Sequence, residues 1–235
     1  ATQVTTHDPA IAIAIALVPP LLIGLANGIG VGFFHVHPLI MTLGMGLIGT
    51  GFLQVYQRTV IATGSVIPDF LAWLGTGVSF GILPNALLLF VPLAVIIIFS
   101  LRRTGYGRLL YALGENPHAT RISGVRSWQV ILTLYTLSGL LAGIAGLLYV
   151  GLIKAPSLSL AAPLLLPSVA AAVVGGTSIF GGRGTYSGTI VGALILQVLT
   201  TLLTLLSMPE GSRRILFGAI ILAVTAIYVR ITDER

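Results

Sequence analysis

The stretch RRTGYGRLLYALGENPHATRISGVRSWQ, Arg102–Gln129, decides how the chain folds. It carries five of the twelve basic residues, and long apolar runs flank it on both sides. The chain around it is 56% hydrophobic and 8% charged, with a mean hydropathy of +1.04. A charged side chain at the bilayer centre costs at least about 2.5–3.5 kcal/mol. The stretch must therefore project into water between two spans. Loops on the cytoplasmic side are enriched in Arg and Lys, so it is assigned to the cytoplasmic face.

Working outward, a soluble domain carries about a quarter of its residues as charges, and this chain falls far below that. It reads as all-α, a polytopic transmembrane helix bundle. The net charge of +6 contains no basic run with interleaved aromatics. Membrane orientation accounts for it, and nucleic-acid binding is not indicated. With no cysteine, disulfides, thiolate metal sites and cysteine nucleophiles are excluded. The first residues, ATQVTTHDP, lack both an initiator Met and the basic start of a secretory signal. They suggest a processed or N-terminally truncated chain.

Seven stretches are long or apolar enough to be considered as spans: 10–33, 38–57, 84–101, 128–151, 163–179, 184–206 and 214–230. The fifth is short and reads equally as a re-entrant or broken helix. Fixing residues 102–127 inside sets the other loops by alternation. Eight basic residues then fall inside and four outside (Arg58, Lys154, Arg213 and Arg214). The Arg213–Arg214 pair is a mild counter-signal. Pro19-Pro20 is expected to kink or break the first span. Residues 58–83 read as an outside connection with one short interfacial helix at Pro68–Leu74. Ser138, Gly139, Ala142, Gly143 and Gly146 form a small-residue stripe suited to close helix packing.

The central stretch has its own punctuation. Gly105 and Gly107 are expected to interrupt the preceding helix, and Arg108–Leu113 to form a short one. Gly114-Glu115-Asn116-Pro117 is a turn. Asn116 is a good N-cap, and Pro117 suits the first helical position. His118–Ser123 then gives under two turns, and Gly124 a left-handed stop. Ser127 is expected to cap the next span, with Trp128 at the lipid boundary. Two readings fit: a basic loop that sets topology and touches anionic lipid, or a docking element for a cytosolic motor.

The order of residues adds to this. GRLLYALGENPHATRISGV resembles the cytoplasmic coupling loop of ribose-type ABC importer permeases, at Gly107, Arg108, Tyr111, Ala112, Gly114, Asn116, Pro117, Ala119, Arg121, Ser123 and Gly124. LSGLLAGIAGLL (137–148), GGTSIFGGRGTYSGTIVGALI (175–195) and PLIMTLGMGLIGTG (38–51) resemble further segments of the same family. The family's Gly-Gly-Ile-Asp-Leu-Ser-type motif is absent. An acidic Glu-Leu-Asp that precedes the glycine segment is replaced by Ala162–Ser168. The resemblance implies a type II-like ABC importer permease, one transmembrane domain over 1–235 in the bacterial inner membrane, with 102–127 as its coupling loop. It implies cytosolic ABC ATPase subunits, an extracytoplasmic sugar-binding protein and a second permease subunit, identical or related, with a monosaccharide as solute. Branched-chain amino-acid permeases share the fold; a permease for these or for another small polar solute, or a stand-alone carrier or channel, is the alternative. On this basis Gly114→Pro or Arg121→Glu is expected to uncouple ATP hydrolysis from transport.

GGTSIFGGRGT, 175–185, holds five glycines in eleven residues. Each costs about 0.8–1 kcal/mol in a helix relative to Ala, so a turn is expected with Arg183 at its tip. It reads either as a topology-setting turn or as a hinge or inner gate built from Gly175, Gly176, Thr177, Ser178, Gly181, Gly182, Arg183 and Gly184. Asn27, Thr42, Gln54 and Gln197, with Thr177 and Ser178, are the few polar groups able to line a pathway. Most of them read rather as helix-to-helix hydrogen bonds.

Other signals fail on context. GMGLIG (44–49) lies inside an apolar span, without the strand a dinucleotide fold needs. GVSFG (77–81) matches a nucleophile elbow, but its acid and His partners fall on the opposite membrane face. His35-x-His37 has no third ligand nearby. No phosphate-binding loop exists, so ATP hydrolysis, if any, belongs to a partner. No Asp, Glu or Lys lies within a span, which weighs against an intramembrane enzyme and a proton-coupled carrier. No catalytic residue, metal or cofactor is expected.

Overall fold

The computed structural model describes residues 9–60, 69–79, 81, 83–154, 161–178 and 181–233. In chain order the helices are α1 (Pro9–Gly32), α2 (Pro38–Val60), α3 (Asp69–Thr76), α4 (Asn85–Arg103), α5 (Gly105–Glu115), α6 (Pro117–Ile122), α7 (Ser127–Ile153), α8 (Leu165–Val174), α9 (Tyr186–Leu205) and α10 (Glu210–Asp233). One 3-10 turn, Ala162–Leu164, precedes α8. A two-residue hairpin, β1 (Val78–Ser79) with β2 (Leu83–Pro84), stands between α3 and α4 and is the one departure from an all-helical chain among the described residues.

Among the described residues, five helices are long and apolar enough to cross a membrane: Ile13–Gly32, Pro38–Gln57, Asn85–Arg103, Ser127–Ile153 and Tyr186–Leu205. They account for five of the seven expected spans. The fifth expected stretch is not a span. Its helical part ends at Val174, too short to cross alone, as a broken or re-entrant helix would be. The seventh lies within α10. Their outward surfaces are apolar, with Leu47, Phe52 and Val198 all exposed. Hydrocarbon tolerates such a surface and water does not.

The chain forms two compact units, one of Ala1–Leu93 with Arg121–Leu158, the other of Ala94–Thr120 with Ser159–Arg235. In the first, α1 packs along α7. A β-carbon at Gly24 would sit 2.5 Å from the Tyr135 carbonyl oxygen, and one at Gly139 would overlap the Pro20 carbonyl oxygen. The backbones touch there because neither residue carries a side chain. Helix α1 runs unbroken through Pro19 and Pro20. Of the expected kink or break, the break does not occur. In lipid an open turn exposes several backbone groups, whereas a proline inside a helix frees few. The small residues of α7 seat the Pro20 ring, which lies against Gly143.

Helix α3 also packs on α7. Leu71 is buried, and a β-carbon at Gly151 would overlap its carbonyl oxygen. The helix runs two residues beyond the expected Leu74, and Pro68 lies outside the described residues. Asn85 is wholly buried and ties α3 to α4. Its Nδ2 donates to the Trp73 carbonyl at 2.9 Å, and its backbone N–H donates to Gly77. In the second unit Ala170, Ala171, Leu196 and Phe217 join α8, α9 and α10 in one buried cluster. Arg213 folds back over the end of α9. Its Nε and Nη2 both donate to the Met208 carbonyl at 3.1 Å, and Nη1 donates to Thr204 Oγ1 at 3.0 Å. A guanidinium presents several donors at once and here holds a carbonyl and a hydroxyl just past a helix end, which gives this arginine a structural use.

Candidate functional site: the basic segment and the glycine turn

Helix α4 stops at Arg103 because Thr104 begins a new helix. The Thr104 side chain accepts from the Gly107 N–H at 3.3 Å, as an N-cap does. Gly105 and Gly107 therefore lie inside α5 and do not form a break, and the expected Arg108–Leu113 helix is longer at both ends. A threonine just ahead of the helix was the signal for this.

Asn116 closes α5 and caps α6. Its backbone N–H donates to Ala112 at 3.0 Å, and its Oδ1 accepts from the Ala119 N–H at 2.9 Å. Pro117 opens α6. Thr120 is buried, and its hydroxyl donates to the carbonyls of both Ala112 (3.0 Å) and Asn116 (2.8 Å), binding α6 back onto α5. Gly124 ends the element at φ +80°. The segment is thus two short helices locked by side-chain caps. Burial pushes the Tyr106 phenol up from its ordinary value, so it is neutral at physiological pH.

Ser127 does not cap α7. Arg126 holds the cap position without a side-chain bond, and the buried Ser127 Oγ has no partner. The helix begins one residue early, which carries the hydroxyl past the free N–H groups.

At its far end α6 turns toward the α1–α2 connection. Arg121 Nη2 donates to His35 Nε2 at 3.2 Å, and His35 Nδ1–H donates to the Phe33 carbonyl at 3.0 Å. One neutral tautomer satisfies both bonds. His35 is thus held by the backbone and Arg121, at a left-handed φ of +55°.

The described residues of the 175–185 stretch, 175–178 and 181–185, are non-helical, as the glycines require. Its second half lies against α5. A β-carbon at Gly114 would overlap the Gly182 nitrogen. One at Gly182 would sit 2.9 Å from Glu115 Cα, and one at Gly181 3.0 Å from the Gly114 carbonyl. Tyr111 donates its hydroxyl to the Gly184 carbonyl at 2.9 Å. Glu115 and Arg183 pair at 3.6 Å, both about two-thirds exposed. Such a pair contributes little energy, on the order of 0–1 kcal/mol, and mainly sets direction.

The first half lies against α9. Thr177 and Thr189 hydroxyls meet at 3.3 Å, and a β-carbon at Gly175 would overlap the Gly188 carbonyl. Thr185 then caps α9 by accepting from the Gly188 N–H. Arg102 reaches Ser187 Oγ at 3.3 Å over a cleft of about 30 Å³. No spacing in the sequence announced the contacts of Tyr111 with Gly184, Glu115 with Arg183, or Arg102 with Ser187.

The four pathway candidates are dispersed. Asn27 is buried in α1, and its Oδ1 has no partner. On α2, Gln54 is exposed and Thr42 half-buried, and the Thr42 hydroxyl donates to the Pro38 carbonyl of its own helix. Gln197 is exposed on α9.

Spanning helices, a capped polar segment and an irregular glycine turn define a multi-pass membrane protein. Residues 1–225 match the family described as branched-chain amino acid transport system / permease component, and the chain belongs to it. It is 32% identical to the fructose import permease protein FrcC of Rhizobium meliloti, over 93% of this chain and 62% of that protein. It is 33% identical to the ribose import permease protein RbsC of Escherichia coli K12, over 92% and 68% respectively. With the galactose/methyl galactoside import permease protein MglC of the same organism the identity is 32%, over 96% and 68%. The chain thus spans roughly two thirds of the length of the curated relatives it matches. No solved structure is significantly similar to it.

Proposed function

We propose that this chain is a membrane-spanning permease subunit of an ATP-driven ABC importer in the bacterial inner membrane, and that its solute is a monosaccharide. The carrying observation is the capped α5–α6 segment. Two helices too short to be stable alone are held rigid by Thr104, Asn116 and Thr120. A rigid element delivers a push without absorbing it. Residues 102–127 are the coupling loop within a single permease domain over 1–235. Cytosolic ATPase subunits press on it, an extracytoplasmic sugar-binding protein delivers the solute, and a second permease subunit and lipid cover the apolar flanks. Gly175–Gly184 forms the inner hinge, and Asn27, Thr42, Gln54 and Gln197 are the polar groups offered to the pathway. Fructose, ribose and galactose in the relatives' names favour a sugar. The family description favours a branched-chain amino acid as the second reading.

The test is uptake of labelled ribose, fructose, galactose and leucine by cells expressing this chain with the ATPase and binding protein encoded beside it. A sugar should enter, and entry should stop when the phosphate-loop lysine of the ATPase is replaced by alanine. Uptake that survives that replacement, or that a protonophore abolishes while ATP is maintained, overturns the ATP-driven reading. Leucine uptake alone selects the second.

A further inference from the structure

Two motifs separated by about sixty residues meet in the second unit, and the contact is made almost entirely of backbone. Gly181, Gly182, Arg183 and Gly184 each touch one turn of α5, at Gly114, Glu115 or Tyr111. The opposite half of the turn is fastened to α8 and α9. Gly175 meets Gly188, Gly192 meets the Ala171 carbonyl, and Thr177 meets Thr189. The Ser178 N–H donates to the Arg183 carbonyl at 2.9 Å and bridges the two halves. At Gly114, Gly181 and Gly182 the approach is backbone to backbone. A displacement of α5 by a fraction of an ångström brings Gly114 onto the Gly182 amide. Close-packed backbone passes on such a movement, whereas a side-chain contact relaxes by changing rotamer.

We propose that Tyr111 and Gly114 are positioning residues that make the 175–185 turn follow α5, so that a push on the basic segment is delivered to the α8–α9 pair. Gly114 sets the closeness, because any β-carbon there displaces the turn. Tyr111 makes the link act in both directions: steric contact can only push, whereas the hydrogen bond to Gly184 can pull the turn back. Helix α8 is the short one, and α9 begins directly after the turn at its Thr185 cap. The delivered movement therefore falls on the helix least able to reach across the bilayer, which suits a gate. This inference rests on the importer reading above.

The whole complex, purified through a tag on this chain and placed in proteoliposomes, provides the test. Two quantities are read: sugar taken up per ATP hydrolysed, and the change in amide hydrogen exchange on trapping with ATP and vanadate. In the wild type, trapping should alter exchange in both 105–124 and 175–185. Tyr111→Phe keeps the ring and removes the hydroxyl. It should keep the 105–124 response, abolish most of the 175–185 response, and lower sugar per ATP about fivefold, the equivalent of one hydrogen bond of about 1 kcal/mol. Gly114→Ala should do the same more severely. A merely structural role would lower protein yield or melting temperature and leave sugar per ATP untouched. If the 175–185 response and the coupling ratio of Tyr111→Phe match the wild type, the joint is overturned even if Gly114→Ala does not fold. If trapping alters neither segment in the wild type, the importer reading fails first and takes the joint with it.

Discussion

Between α1 and α7, glycine sits inside regular helix. Gly24, Gly28 and Gly139 keep ordinary helical geometry and remove side chains from a seam along the helix axes. Between α5 and the 175–185 turn, glycine also brings backbones into contact, but four of the five in the turn have positive φ. The first seam is continuous and both its partners are spans. The second is confined to one turn of a short helix and the irregular turn it meets. A seam of the first kind holds a bundle together, and its loss is global. A contact of the second kind fixes a position, and its loss is local.

Substitution at Gly139 should break the first seam outright. Gly139→Leu places a side chain where the Pro20 carbonyl and Gly24 already lie. The cost should reach or exceed the top of the about 1–3 kcal/mol range for overpacking, because backbone atoms cannot repack. Gel filtration in mild detergent should show loss of the monodisperse peak. A wild-type profile would mean that α1 and α7 do not hold the first unit together.

A milder loss is expected in the turn. Gly182→Ala puts a β-carbon at φ +73° and 2.9 Å from Glu115 Cα. The left-handed conformation costs about 1–2 kcal/mol for a residue with a β-carbon. The protein should remain inserted and monodisperse, with faster amide exchange confined to 175–185 and the end of α5. Exchange that rises along α1 and α7 as well would erase the distinction between the two seams.

Smaller still is the effect expected at the α5–α6 junction. Asn116→Ala removes the cap of α6 and should cost about 1 kcal/mol. Exchange should quicken at 117–122 and nowhere else, and Asn116→Asp should restore protection. An unprotected α6 already in the wild type would remove the rigidity on which the coupling role depends.

The residues that were legible in the sequence are those whose behaviour is local. Asn116, Pro117 and Gly124 act within their own turn, so type and spacing suffice. The apolar runs needed only length. What stayed hidden depends on partners far along the chain. The double proline reads as a break until the α7 glycines that receive it are known. Arg213 reads as a topology anomaly until it is seen bonding the Thr204 hydroxyl and the Met208 carbonyl. The 175–185 turn and the 102–129 stretch were each recognisable, but nothing in either one names the other, since glycine backbone contacts leave no trace in side-chain pattern. The fifth stretch was ambiguous for a physical reason, because a helix too short to span is apolar for the same reason a span is.

Ser127 supplies the finest test of the two kinds of helix entry. Thr185, at the start of α9, is a true N-cap: its backbone is extended and its hydroxyl accepts from Gly188 N–H at 3.1 Å. Ser127 looks equivalent in sequence, but it is already the first helical residue of α7, and its buried Oγ has no partner. Removing a satisfied cap costs about 1 kcal/mol. Removing a buried hydroxyl without a partner relieves a desolvation penalty and costs nothing in bonding. Thr185→Ala should therefore lower the melting temperature of the detergent-solubilised protein, while Ser127→Ala should leave it unchanged or raise it slightly. Equal losses in the two variants would mean that Ser127 caps α7 after all, and that α7 starts one residue later than its backbone geometry places it.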